Sequence, residues 1–147
     1  MNDYEYFLGK ASAFHGHICG GIALGIRISL AAMRHLGLDP RQKNKDIIVY
    51  TEVDRCMTDA VMVVTNCSPG RRSLKLVDYG KFAMTLVDLG TGRAVRGTIK
   101  RVYHNEGPAE DMVKQIEAVP DEELVSLQDV RVSISGDDLP GKRFKPE

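Results

Sequence analysis

The chain has 147 residues, 43% of them apolar, enough for one domain of ordinary size to bury a core without disulfides. Lys plus Arg and Asp plus Glu balance at 20 each, so no strong field exists for gripping a phosphate backbone, and nucleic acid is set aside as a main partner. The first residues lack a basic segment followed by an apolar run, and Arg27 breaks the longest apolar stretch, Ile18–Met33, so neither a signal peptide nor a membrane span is expected, and the odd count of three cysteines leads to the expectation of a cytoplasmic protein.

Tyr4–Ala13 has Tyr4, Phe7, Leu8 and Ala11 at helical spacing. Phe14–Gly21 contains three glycines and reads as a loop leading into a second helix, Gly21–Leu36, which Gly37 and Pro40 stop. That helix is apolar nearly all round and should be central. Gly21, Gly25 and Ser29 make a small-residue stripe on it, which serves either core packing or a subunit contact.

Asp46–Val53 reads as a strand. Thr58 is placed to cap a helix from Asp59 to about Thr65, and the loop 66–72 follows. Leu74–Val77, Phe82–Leu89 and Arg93–Val102 read as strands, the last two joined by the hairpin signal Gly90-Thr91-Gly92. Glu106–Val119 is a helix, Asp121–Leu127 a weaker one, and Val130–Ser135 alternates like a final strand. The polar stretch 136–147 should be a flexible tail. This order predicts one α+β domain over 1–147, with a mostly antiparallel sheet packed against helices.

The chemistry is concentrated in the first half. The three cysteines, Cys19, Cys56 and Cys67, are an odd count outside any small disulfide framework, which argues for reduced thiols. In Phe14-His15-Gly16-His17-Ile18-Cys19-Gly20-Gly21, the residues His15, His17 and Cys19 are two apart, so an extended segment would point all three to one side. Imidazole and thiolate are the donors preferred by zinc and related divalent transition metals. Cys19 also starts a helix, where the unpaired N–H groups favour a thiolate. The bland alternative is two surface histidines and a core cysteine.

Cys56 and Asp59 are three apart around a helix start after a strand, and can face one pocket. Cys67 lies in a Gly/Pro loop beside Arg71 and Arg72, a setting that stabilises a thiolate or an anionic ligand; the alternative is a solvated turn. Lys81 is either an anion-binding lysine or a plain surface charge. Arg27, if buried, needs a partner, with Glu52, Asp54 and Asp59 as candidates. Phosphate-binding loops, a dinucleotide fingerprint, a serine nucleophile elbow and Cys-x-x-Cys are all missing.

Together, His15-Gly16-His17-Ile18-Cys19-Gly20-Gly21 with Gly25-Ile26-Arg27, then Cys56-Met57-Thr58-Asp59-Ala60, Asn66-Cys67-Ser68-Pro69-Gly70 and Asp78-Tyr79-Gly80-Lys81, resemble the FmdE family over roughly residues 14 to 100. That family takes its name from the operon of formylmethanofuran dehydrogenase, a molybdenum or tungsten enzyme. The resemblance implies an α+β core, a homodimer, and a zinc-type site built from the His-x-Cys segment and the later cysteines. Gly20 stands where the family usually has proline, and the C-terminal zinc finger of many relatives has no counterpart after Cys67. The leading expectation is a metal-binding protein using His15, His17, Cys19, Cys56 and Cys67. In an enzyme, Cys19, Asp59 and Cys67 would be catalytic, with Arg71 and Lys81 holding a small anionic ligand. The alternatives are a non-catalytic carrier of metal, or of a molybdenum or tungsten species, for a partner oxidoreductase, and metal-free thiol chemistry at Cys19 or Cys67.

Overall fold

The structure is a computed structural model and describes residues 1–43, 46–100 and 107–139. In chain order its main elements are α1 (Asp3–His15), α2 (Gly20–His35), β1 (Ile47–Thr51), α3 (Cys56–Thr65), β2 (Leu74–Leu76), β3 (Ala83–Asp88), β4 (Ala94–Ile99), α4 (Ala109–Ala118), α5 (Asp121–Leu124) and β5 (Val125–Val130). The strands form one sheet in the order β2-β1-β3-β4-β5, antiparallel except for the β1–β2 pair, so the fold is α+β as expected. Among the described residues no helix is long and apolar enough to cross a membrane.

Helix α2 is the central post. Every residue from Ile22 to Met33 is buried, and α2 packs against α1, α3, α4 and the inner face of the sheet. Strand alternation divides the sheet's two faces: Ile47 and Val49 join the main core, while Ile48 joins a small second cluster with Val87 and Ala94 on the other face.

That second face explains one departure from expectation. The weak helix at Asp121–Leu127 stops at Leu124, and the last strand is Val125–Val130 rather than Val130–Ser135. Val132 and Ile134 pack against Ile48, Val87 and Ala94 without joining the ladder. Their alternation covers a sheet face rather than extending an edge. The turn Gly136–Asp138 follows, where a tail was expected; the tail's remainder, 140–147, lies outside the described residues, as do Arg101, Val102 and Glu106 of other expected elements.

Arg27 is buried, but not with the acids expected. Its guanidinium donates to the carbonyl of Ile116, to Val119 O at 2.6 Å and to Asp121 Oδ1 at 2.7 Å. It therefore satisfies carbonyls at the α4 C-terminus, where a cation is favoured. Glu52 is bound instead by Arg96, at 2.8 and 3.0 Å. Tyr4 adds a tie from α1 to α4 by donating to Val113 O at 2.8 Å.

The small-residue stripe on α2 is spent inside the chain. A Cβ at Gly25 would stand 2.7 Å from both Ala60 Cβ and Met57 O, and one at Gly21 would stand 2.9 Å from Cys56 Cβ. Ser29 Oγ donates to Gly25 O at 2.7 Å and is fully buried. Gly21 and Gly25 make the α2–α3 contact, and Ser29 is buried in the same chain, so the stripe serves core packing.

Gly25→Ala is expected to lower stability by about 1–3 kcal/mol, because Met57 backbone cannot yield as a flexible side chain would. Gly9, also helical, has nothing within 4 Å of its would-be Cβ, so Gly9→Ala should raise stability by about 0.5–1 kcal/mol. Urea denaturation of the two variants against the parent chain checks both signs.

Candidate metal centre

Three elements meet at one place: the end of α1, the start of α2 and the start of α3. His15 is the last residue of α1, and Gly16 caps that helix in the left-handed conformation at φ 97°, its N–H on Ser12 O at 2.8 Å. This turn brings His17 back beside His15, with ring centroids 4.5 Å apart. The two histidines therefore converge through a helix end and a glycine turn, and not through the extended alternation the sequence suggested. Cys19 is the N-cap residue of α2, in extended conformation, and Cys56 is the first residue of α3. The expected capping role of Thr58 is not found: Arg55 is the N-cap, and Thr58 Oγ1 donates to Val53 O at 2.5 Å.

One potential ligand atom from each of His15, His17, Cys19 and Cys56 lies within 4.8 Å of all the others. Donors at zinc bonding distances stand about 3.3–3.8 Å apart in a tetrahedron, so a contraction of about an ångström would close such a shell. The N-termini of α2 and α3 both begin at this spot, where a helix dipole favours a thiolate. Burial, followed by the adjacent Cys19 thiol and the Asp59 carboxylate, pushes the Cys56 thiol up from its ordinary value. Two facing thiols in a half-buried position resist joint ionisation unless a cation joins them.

His15 supplies the test of whether the group fits a metal. Its Nδ1 lies 2.6 Å from Asp59 Oδ2. A carboxylate only accepts, so Nδ1 is the donor, and in the neutral ring the lone pair then belongs to Nε2. Nε2 is buried and has no hydrogen-bond partner among the described residues. A buried, unpaired imidazole nitrogen costs free energy unless something occupies it. A metal-ligating histidine almost always donates its other ring N–H to a carboxylate, carbonyl or water, and His15 has that arrangement with Asp59. The residues fit.

Cys67 is not in the cluster. Helix α3 has ten residues and is therefore about 15 Å long; Cys56 begins it and Cys67 follows its end. Cys67 is buried, and its thiol lies 3.7 Å from Thr65 O. Arg71 is exposed near Cys67, and together they line a small cavity with Asn66 and Ser73. Lys81 is exposed on the segment after β2, its backbone N–H donating to Glu52 O at 3.1 Å. The structure thus gathers four of the five expected ligands, with Asp59 against one of them. It leaves Cys67 and Arg71 at the far end of α3.

These features define a small α+β protein with a histidine/cysteine cluster able to hold a metal ion at its surface. Residues 14–132 match the family described as FmdE, molybdenum formylmethanofuran dehydrogenase operon, and the chain belongs to that family. It is similar to the crystal structure of a tungsten formylmethanofuran dehydrogenase FmdE-like protein from Syntrophus aciditrophicus, with a TM-score of 0.70 and 28% identity over 95% of this chain and 77% of that one. It is also 41% identical over 90 residues to a probable S-adenosyl-L-methionine-binding protein of Archaeoglobus fulgidus, a match covering 59% of this chain. The matched part is 25% of that relative's own length.

In metal-free protein, Cys56 should be alkylated more slowly near neutral pH than an ordinary exposed thiol. Its raised pKa leaves less thiolate there, and the rate should climb as the pH approaches that raised value. Cys67, buried, should be slowest of the three. Iodoacetamide labelling followed by peptide mapping checks both.

Proposed function

We propose that this chain is a metal-binding protein whose centre is His15, His17, Cys19 and Cys56, with one divalent transition-metal ion per chain. The buried, unpartnered His15 Nε2 carries this reading, since its other nitrogen is already committed to Asp59. Two imidazoles and two thiolates suit zinc best among the common ions. A bound ion would supply Lewis acidity toward an oxygen-bearing substrate. The chain's own residues do the rest. Cys19 and Cys56 provide charge to hold the cation, and Asp59 fixes the tautomer and ring orientation of His15. His17, the exposed member of the set, is the ligand most easily displaced by an incoming group.

That exposure supports two uses of the same centre. In an enzyme, His17 would be the residue that yields to a small anionic substrate. In a carrier, it would be the residue that yields when the ion passes to a partner oxidoreductase. The rate of metal loss separates them: retention through hours of dialysis against a mild chelator favours the enzyme, and rapid exchange favours the carrier.

Untagged protein should contain, or take up, one zinc ion per chain by elemental analysis. Cys19→Ser and Cys56→Ser should each abolish stoichiometric binding, while Cys67→Ser should keep it. A wild-type chain that neither carries zinc nor can be loaded with it would overturn the reading. Asp59→Ala should weaken zinc binding about 10–100-fold in chelator competition. Asp59→Asn should weaken it less, because the amide oxygen still accepts from Nδ1–H.

A further inference from the structure

A groove runs between α1 and α3 on the side of Tyr6, Lys10 and Phe14. These residues are four apart and share one face of α1. Its first part, about 350 Å³, is lined by Lys10, Arg41, Lys43 and Arg71 among others. A second part of about 290 Å³ shares Lys10, Val63, Asn66 and Arg71 with the first and adds Phe14 and Met62. Both volumes are near the lower end of the range of small-molecule sites.

Among the described residues four cations line the groove and no carboxylate does. In a chain of zero net charge this is a local concentration of one sign. Among the described residues Lys10, Lys43 and Arg71 have no ion-pair partner, whereas Arg41 is paired, its Nε 2.8 Å from Asp3 Oδ1. Two of the cations are positioned by an aromatic ring: Lys10 Nζ and Arg41 Cζ lie 4.6 and 4.1 Å from the Tyr6 centroid. The field is felt by Tyr6, whose hydroxyl is held below its ordinary pKa by a hydrogen bond from Lys10 and by the charges of Lys10, Arg41 and Lys43. At the other end Phe14 is 57% exposed, a large apolar ring left uncovered beside the cations.

We infer that this groove binds a small phosphorylated molecule with a planar ring, the class to which nucleoside phosphates belong. The phosphates lie among Lys10, Arg41, Lys43 and Arg71, where guanidinium groups engage two oxygens at once. The ring stacks on Phe14, over Met62 and Val63. The groove's Phe14 end adjoins His15, and Met62 is one helical turn beyond Asp59, so a bound molecule extends toward the His/Cys cluster. The inference is independent of metal occupancy there.

The test is calorimetric titration of the full chain, stripped of metal by a chelator that is then removed. The probes are ATP, inorganic pyrophosphate, adenosine and a short single-stranded DNA. ATP should bind more tightly than pyrophosphate, and adenosine should bind far more weakly than either. Arg71→Glu and Lys10→Glu should each weaken ATP at least about tenfold, as the loss of a charge-assisted phosphate contact requires. Lys114→Glu, the same charge change on exposed α4, should not. Phe14→Ala should weaken ATP and leave pyrophosphate unchanged. Unchanged thermal melts in the variants show that they fold. The inference is overturned if ATP fails to bind at millimolar concentration, if Lys114→Glu costs as much as Arg71→Glu, if Phe14→Ala leaves ATP binding intact, or if the DNA binds more tightly than ATP.

Discussion

The distance between the α2 and α3 backbones is the constraint on which the rest depends. Where a side chain at Gly21 would collide with Cys56 Cβ and one at Gly25 with the Met57 carbonyl, the two helices touch almost main chain to main chain. Their N-termini therefore open at one point, and each brings a cysteine there, Cys19 and Cys56. With ordinary side chains at both positions the axes would separate, since helices commonly pack about 8–10 Å apart depending on the residues between them. The thiols would then be too far apart to share an ion. The β1–α3–β2 crossover contributes the other half of the placement. It delivers Cys56 just past the carboxyl end of β1, where ligand-binding residues of parallel strand pairs commonly emerge.

The post itself is held upright by an unusual charge. Arg27 sits within the central, largely buried helix, yet its donors are consumed by the carbonyls of Ile116 and Val119 and by Asp121. Helix α4 ends in extended backbone at Val119 without a glycine cap, so Arg27 does the capping from a neighbouring element. Its cost of burial is offset by completed hydrogen bonds rather than by a single ion pair.

Much of this was legible in the sequence, for definable reasons. The α+β order, the antiparallel sheet and the central apolar helix follow from periodicity and turn residues, which are local. The His-x-His-x-Cys segment was legible as a cluster because its members are close in sequence, although its geometry was not. Nothing local announces that His15 still belongs to a helix and that Gly16 reverses the chain. The partners of Arg27 lie 89 to 94 residues away and no local pattern points to them. Cys56, at a helix start after a strand, and Cys67, in the loop that follows that helix, were both expected in the centre. Only the length of α3 shows that they stand at opposite ends of one helix. The basic groove was missed because its cations come from separate stretches: Lys10, then Arg41 and Lys43, then Arg71. The spacing Tyr6, Lys10, Phe14 was the one available signal.

The connectivity of the four donors gives the cluster a mechanical meaning. His15, His17 and Cys19 span five residues, so gathering them restricts the chain little. Cys56 comes 37 residues after Cys19. An ion joining them would cross-link the chain as a disulfide does, removing loop-closure entropy from the unfolded ensemble worth about 4 kcal/mol for a loop of that size. The same cross-link would pin the end of α1 to the start of α3. Occupancy of a surface centre would thereby be reported as rigidity along the whole α1–α3 seam.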